Sequence, residues 1–130
     1  MIVTSSRHAA VLYKNILDEL NAPSSNVVIS GDHNDPEELR RYTDNSEHKK
    51  IIKDFVEKDL SESKCHFIIV KDMLLTGFDA PICQVMYLDR KIMDHGLLQA
   101  IARVNRPKEG KQRGFVVDYY GLASYLTSAL

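Results

Sequence analysis

An α/β fold, an open parallel sheet of about five strands with helices on both faces, is what this chain predicts, on three observations. Five short apolar runs punctuate it: Met1–Thr4, Asn26–Ile29, Phe67–Val70, Val85–Leu88 and Phe115–Val117. They are rich in Val, Ile and Phe and do not alternate with polar residues, the pattern of strands covered on both faces. Helical patterns lie between most of them, and that alternation implies right-handed crossovers.

The elements follow in order. After the first run, residues 6–21 carry Ala9, Leu12, Tyr13, Ile16, Leu17 and Leu20 at helical spacing. Beyond the second run, Asp35-Pro36-Glu37-Glu38 reads as a helix start, with Asp35 as N-cap and Pro36 at the first helical position. Residues 46–60 set Ile51, Ile52, Phe55, Val56 and Leu60 on one face, entered through Ser46. Between the third and fourth runs, Lys71–Pro81 is too short for a full crossover helix. Gly77 permits backbone shapes other residues avoid, and Pro81 stops any helix. A brief helical turn should lead into a loop that sets Thr76, Gly77 and Asp79 at the carboxyl edge of the sheet, where open α/β folds bind ligands. A tight turn with a capping Asp is the competing reading. The last helix begins near Leu122.

Composition narrows the function. At 130 residues, 44% apolar, 27% charged and net charge −1, the chain is one ordinary globular domain without repeats or linkers. That balance argues against a free-standing, charge-driven nucleic-acid binder. It leaves room for a local basic surface, since Arg103, Arg106, Lys108, Lys111, Gln112 and Arg113 crowd one region. Cys65 and Cys83 are isolated, which suits a reduced, cytoplasmic protein. The five His residues are scattered, so no metal site is expected, and neither an apolar run long enough to span a membrane nor a signal peptide is seen.

Asp94–Pro107 is the most informative stretch. As a helix it sets Gln99, Arg103 and Arg106 on one stripe and Leu97, Ile101 and Val104 on the other. The first stripe suits an anion, because an Arg fork stays charged at any physiological pH. A solvated basic face is the plainer reading. Pro107 disfavours helical angles at Arg106, which should then reach outward from the helix exit. Ser5, Ser6 and Arg7 stand at a strand end and helix start, where backbone N–H groups favour phosphate, though Ser5 and Ser6 also serve as ordinary N-caps. Tyr119 and Tyr120 read as edge packing rather than a stacking platform. Asp118 reads equally as functional or as a cap, and Lys108–Arg113 as a solvated turn that touches DNA only in the lesser reading.

Thr76-Gly77-Phe78-Asp79 has the T-G-x-D core of motif V, and Gln99-Ala-Ile-Ala-Arg103-Val-Asn-Arg106 follows the form of motif VI. With Ile2-Val-Thr-Ser-Ser-Arg7 in the place of motif IV, the chain resembles the second RecA-like motor domain of superfamily 2 helicases and translocases. Asp72–Pro81, Met86-Tyr-Leu-Asp89, Leu98–Pro107 and Val117-Asp-Tyr119 are more narrowly similar to the R (restriction) subunit of type I restriction–modification enzymes. Ala102 and Asn105 stand where motif VI has glycines, which suits that subgroup and removes neither Arg.

The resemblance implies one lobe of an ATP-dependent translocase of double-stranded DNA. ATP and Mg²⁺ would be bound mainly by a first motor lobe in the same chain, since no G-x-x-x-x-G-K-[ST] occurs here. Arg106 would be the arginine finger with Arg103 as its partner, and Gln99 would position the site or sense the nucleotide. Such a finger is worth roughly 10³–10⁵ in rate. Asp79 would accept from ribose hydroxyls, and Gly77 would admit backbone to the nucleotide. Thr76, Ser5, Ser6 and Arg7 would touch the DNA backbone. Residues 1–130 would be a single second-lobe domain of a larger subunit, inactive alone and partnered by modification and specificity subunits. The alternatives are a lobe of a repair or remodelling helicase, or a non-catalytic α/β interaction module whose arginines pair with its own carboxylates.

Overall fold

Residues 1–58, 61–74, 83–91, 104 and 114–120 are described by a computed structural model. They form β1 (Ile2–Thr4), α1 (Arg7–Glu19), β2 (Ser25–Val28), α2 (Glu37–Arg40), α3 (Asn45–Glu57), β3 (Phe67–Val70), β4 (Val85–Asp89) and β5 (Phe115–Asp118). The five strands make one sheet in the order β2-β3-β1-β4-β5, parallel at every pairing.

All five apolar runs are strands, and the reason is visible in the packing. Val3, Val28, Ile68, Val70, Met86 and Leu88 pack on one face, with Phe55, Ile51, Ile52 and Val56 of α3. Their sequence neighbours Ile2, Val27, Ile69 and Tyr87 pack on the other, with Ala10, Tyr13 and Leu17 of α1 and Leu39 of α2. In β1, β2 and β3 the apolar residues find an apolar destination whichever way they point, whereas the edge strand β5 leaves Phe115 and Val117 exposed. Fully burying one such Ile or Leu contributes about 1.5–3 kcal/mol.

Three element starts differ from expectation. Pro36, not Asp35, is the N-cap of α2, because the Asp35 carboxylate is turned inward to an arginine. Asp44 rather than Ser46 caps α3, accepting from the Ser46 and Glu47 backbone N–H groups. After β3 the chain bends through Lys71–Leu74, and Leu74 takes φ 67°, a left-handed residue where a helical turn was expected. Leu60 and the helix near Leu122 lie outside the described residues.

Candidate functional site

Because β3, β1 and β4 are adjacent and parallel, their carboxyl ends meet on one edge of the sheet. The chain leaves β1 toward β2 at one margin and leaves β4 toward β5 at the other, so the topological switch point lies between β1 and β4. The segments after these three strands are the ones in which the sequence sets its motifs.

The end of β1 is tied down from within. The fully buried Thr4 hydroxyl lies 3.0 Å from the Val70 carbonyl oxygen and 2.9 Å from that of Ser6, donating its one proton between them. Ser6 is the N-cap of α1: its Oγ accepts from the Ala9 N–H at 3.0 Å, while Ser5 is exposed. Arg7 opens the helix and turns back. Its Nη1 donates to Asp35 Oδ2 at 2.6 Å and to the Ser30 carbonyl at 3.0 Å. Asp35 also accepts from the Asp32 N–H at 2.7 Å. The Arg7 hydrogen bond first, then that N–H, hold its carboxyl below the usual carboxylate range.

A second set of contacts gathers at the end of β4. The Tyr13 hydroxyl on α1 donates to Asp89 Oδ2 at 2.6 Å. Burial first, then this carboxylate, push the phenol's ionisation well above its ordinary value. Arg90 follows directly. Its Nη1 donates to the Lys71 carbonyl at 2.8 Å and to the Asp72 carboxylate, which Lys71 Nζ also approaches at 3.0 Å. The Arg90 hydrogen bond is the main reason Asp72 stays below the usual carboxylate range.

Of the residues singled out in the sequence, Ser5, Ser6 and Arg7 fall within this edge. Thr76, Gly77, Asp79, Gln99, Arg103 and Arg106 lie outside the described residues, as does Lys108–Arg113. Val104, between the two arginines of the motif, is 2% exposed and packs with Met86 and Leu88. Gly114 backs it: a Cβ there would meet the Val104 carbonyl oxygen at 2.2 Å, so only glycine fits. Tyr119 and Tyr120 are exposed rather than packed, and Asp118 accepts from the Tyr120 N–H at 2.8 Å, as a cap does. Sequence reading missed Asp35, Asp72, Tyr13, Asp89 and Arg90 as partners. The available signal was positional, since Asp89-Arg90 directly ends an apolar run.

Other features point away from a site. A cleft of about 640 Å³ lies between α3 and Lys64–Cys65, but its charges cancel locally, with Lys50 on Glu47 and Lys58 on Asp54 at 3.1 Å each. Cys65 and Cys83 are buried thiols, and burial pushes the Cys65 thiol up, away from reactivity. Among the described residues no group of His, Cys, Asp and Glu is placed to hold a metal ion, and no helix is long and apolar enough to cross a membrane.

Residues 14–121 match the family model for type I restriction enzyme subunit R domain 3. A Methanocaldococcus jannaschii protein, named for the endonuclease subunit of type I restriction enzyme MjaIXP, is 44% identical over 100% of this chain and 12% of its own length. The HindI endonuclease subunit of Haemophilus influenzae, also type I, is 38% identical over 99% of this chain and 13% of its own. A Staphylococcus aureus type I subunit, SauCOLORF180P, is 36% identical over 79% of this chain and 11% of its own. The chain thus spans about an eighth of the length of the first two relatives.

Proposed function

Since the chain belongs to the family of type I restriction enzyme R subunits, as domain 3 of that subunit, we propose that it is the second motor lobe of an ATP-dependent double-stranded DNA translocase. The observation that carries this reading is topological. Three motif-bearing segments, Thr4–Arg7, the chain after Val70 and the chain after Asp89, leave the same edge of the sheet from three neighbouring strands, at its switch point. Motifs far apart in sequence therefore share a starting line, as a nucleotide and DNA site requires.

Bound ATP with Mg²⁺ would supply the phosphoryl group transferred to water, the ion being held mainly by a first lobe. The chain's own part is charge and position. Arg106 stabilises negative charge developing on the phosphoryl oxygens, Arg103 supports it, and Gln99 orients the site. Gly77 and Asp79 meet the nucleotide, Asp79 accepting from ribose hydroxyls. Thr76, Ser5 and Ser6 contact DNA phosphates, which fixes position without reading sequence. Hydroxyls and backbone N–H groups at a strand end suit that anion, so the donor set fits the ligand. Arg7 joins them only on leaving Asp35. The natural setting is cytoplasmic, with modification and specificity subunits as partners.

The test is Arg106→Ala in an R subunit carrying this domain. DNA-stimulated ATP hydrolysis should fall by roughly 10³-fold or more while DNA loading and melting stay near wild type, because the guanidinium acts on charge present only in the transition state. Near-normal hydrolysis would remove the finger, and loss accompanied by early melting would make Arg106 structural.

A further inference from the structure

Two observations at the carboxyl edge belong together. Arg90 follows β4, Asp72 follows β3, and β1 lies between those strands. Two inter-strand spacings separate them, about 9.5 Å. The Arg90 side chain spans the distance over the end of β1, on the Lys71 carbonyl and the Asp72 carboxylate. Two residues further on, Leu74 holds φ 67°. For a bulky residue that conformation costs roughly 1–2 kcal/mol and persists only where its surroundings impose it. Here they do so from both ends, because Leu74 packs against the core under α3 while Arg90 fixes the chain just before it.

We propose that Arg90 is a positioning residue: it pins the root of the chain leaving β3 to the end of β4, so that the groups carried after these two strands keep a fixed relation across the switch point. This rests on the motor reading above, in which the segment after β3 meets nucleotide and DNA and the segment after β4 carries the arginines. A side chain long enough to bridge a strand, bonded to backbone as well as to carboxylate, transmits a shift at one strand end to the other. The bond is also reversible. Asp72 is largely exposed and shared with Lys71, so the strap can open without stranding a buried charge.

The experiment uses an R subunit carrying this domain, assembled with its partners, with DNA-stimulated and DNA-independent ATP hydrolysis measured separately. Arg90→Ala and Asp72→Ala should each lower the DNA-stimulated rate about 10-fold or more, and the double variant should be no worse than either alone. Melting should move by no more than about 5 °C. Arg90→Lys, which keeps charge and reach, should recover most of the rate, and Arg90→Gln should not. A stimulated rate within about twofold of wild type in the Arg90→Ala subunit, where Arg106→Ala is inactive, overturns the proposal. Should Arg106→Ala hydrolyse normally, the motor reading has failed instead. Amide exchange in the 130-residue chain then decides the strap: faster exchange confined to Lys71–Leu74 in Arg90→Ala upholds it, and unchanged protection there overturns it.

Discussion

Arg7 and Arg90 make the same pair of bonds in two different settings. Each stands just beyond a strand, and each donates from Nη1 to a carboxylate and to a backbone carbonyl of a neighbouring loop. Their partners differ. Asp35 is 5% exposed and also receives the Asp32 N–H, whereas the Asp72 side chain is 61% exposed and divides itself between Arg90 and Lys71. Removing one member of a buried pair leaves the other charged in poor solvent, while an exposed carboxylate simply returns to water. One chemistry thus gives a clasp at the β1–β2 side of the sheet and an exchangeable strap at the β3–β4 side. The clasp belongs to the fold, and the strap is free to serve the site.

Asp35→Ala breaks the clasp and should show the largest effect on stability, lowering the melting temperature of the chain by roughly 10 °C. Asp72→Ala should lower it by no more than about 3 °C. Thermal melting of the two variants side by side checks this. Equal losses, or a larger loss for Asp72→Ala, would erase the distinction between clasp and strap.

The strands were legible because burial on both faces leaves its mark residue by residue: Ile68 and Ile69 point opposite ways and both must be apolar. The partners were not legible, because an ion pair between Arg7 and Asp35 joins positions whose proximity depends on how β1 and α2 are stacked. The same gap explains the misread caps. Asp35-Pro36 has the local grammar of an N-cap, yet the carboxylate turns to Arg7 and the Asp32 N–H rather than to the N–H groups that open α2. Arg90 illustrates the remaining limit. Its neighbour Asp89 ends an apolar run and so marks a strand end, but nothing local says that the next side chain crosses β1. Gly114 is similar, since its need for glycine comes from Val104, ten residues earlier in the chain.

Tyr13→Phe probes a contact between the two extremes. The phenol is half-buried and donates to Asp89 Oδ2 at 2.6 Å, so its loss should cost about 1 kcal/mol, more than Asp72→Ala and less than Asp35→Ala. The sign with pH is fixed by the raised ionisation of Tyr13. Its contribution is whole below the unfolded value near about 10, and fades as pH climbs beyond it toward the folded value. Denaturant melts at neutral pH and above pH 10 measure both. A Phe variant as stable as wild type at pH 7 would show the Asp89 bond to be incidental.

The smallest effect is the most diagnostic, because it compares clasp and strap without creating a cavity. Asp35→Asn and Asp72→Asn keep shape and remove charge. Both carboxyls are held below their ordinary range, chiefly by their arginines, so each contributes stability above the unfolded value near about 3.9. That contribution is lost as pH falls through the lower folded value. At neutral pH the Asn variants should therefore melt below wild type, and the gap should close on acidification, since a protonated Asp resembles Asn. For Asp35→Asn the gap should be clear at pH 7 and should narrow steadily as pH falls below about 3.9. For Asp72→Asn it should be small throughout and shrink further in added salt, which screens an exposed pair. Melting temperatures from pH 7 to pH 3, at low and high ionic strength, give the comparison. A gap for Asp35→Asn that stays constant down to pH 3 would mean that the charge of the carboxylate is not what stabilises the clasp, and its assignment to the Arg7 ion pair would fall.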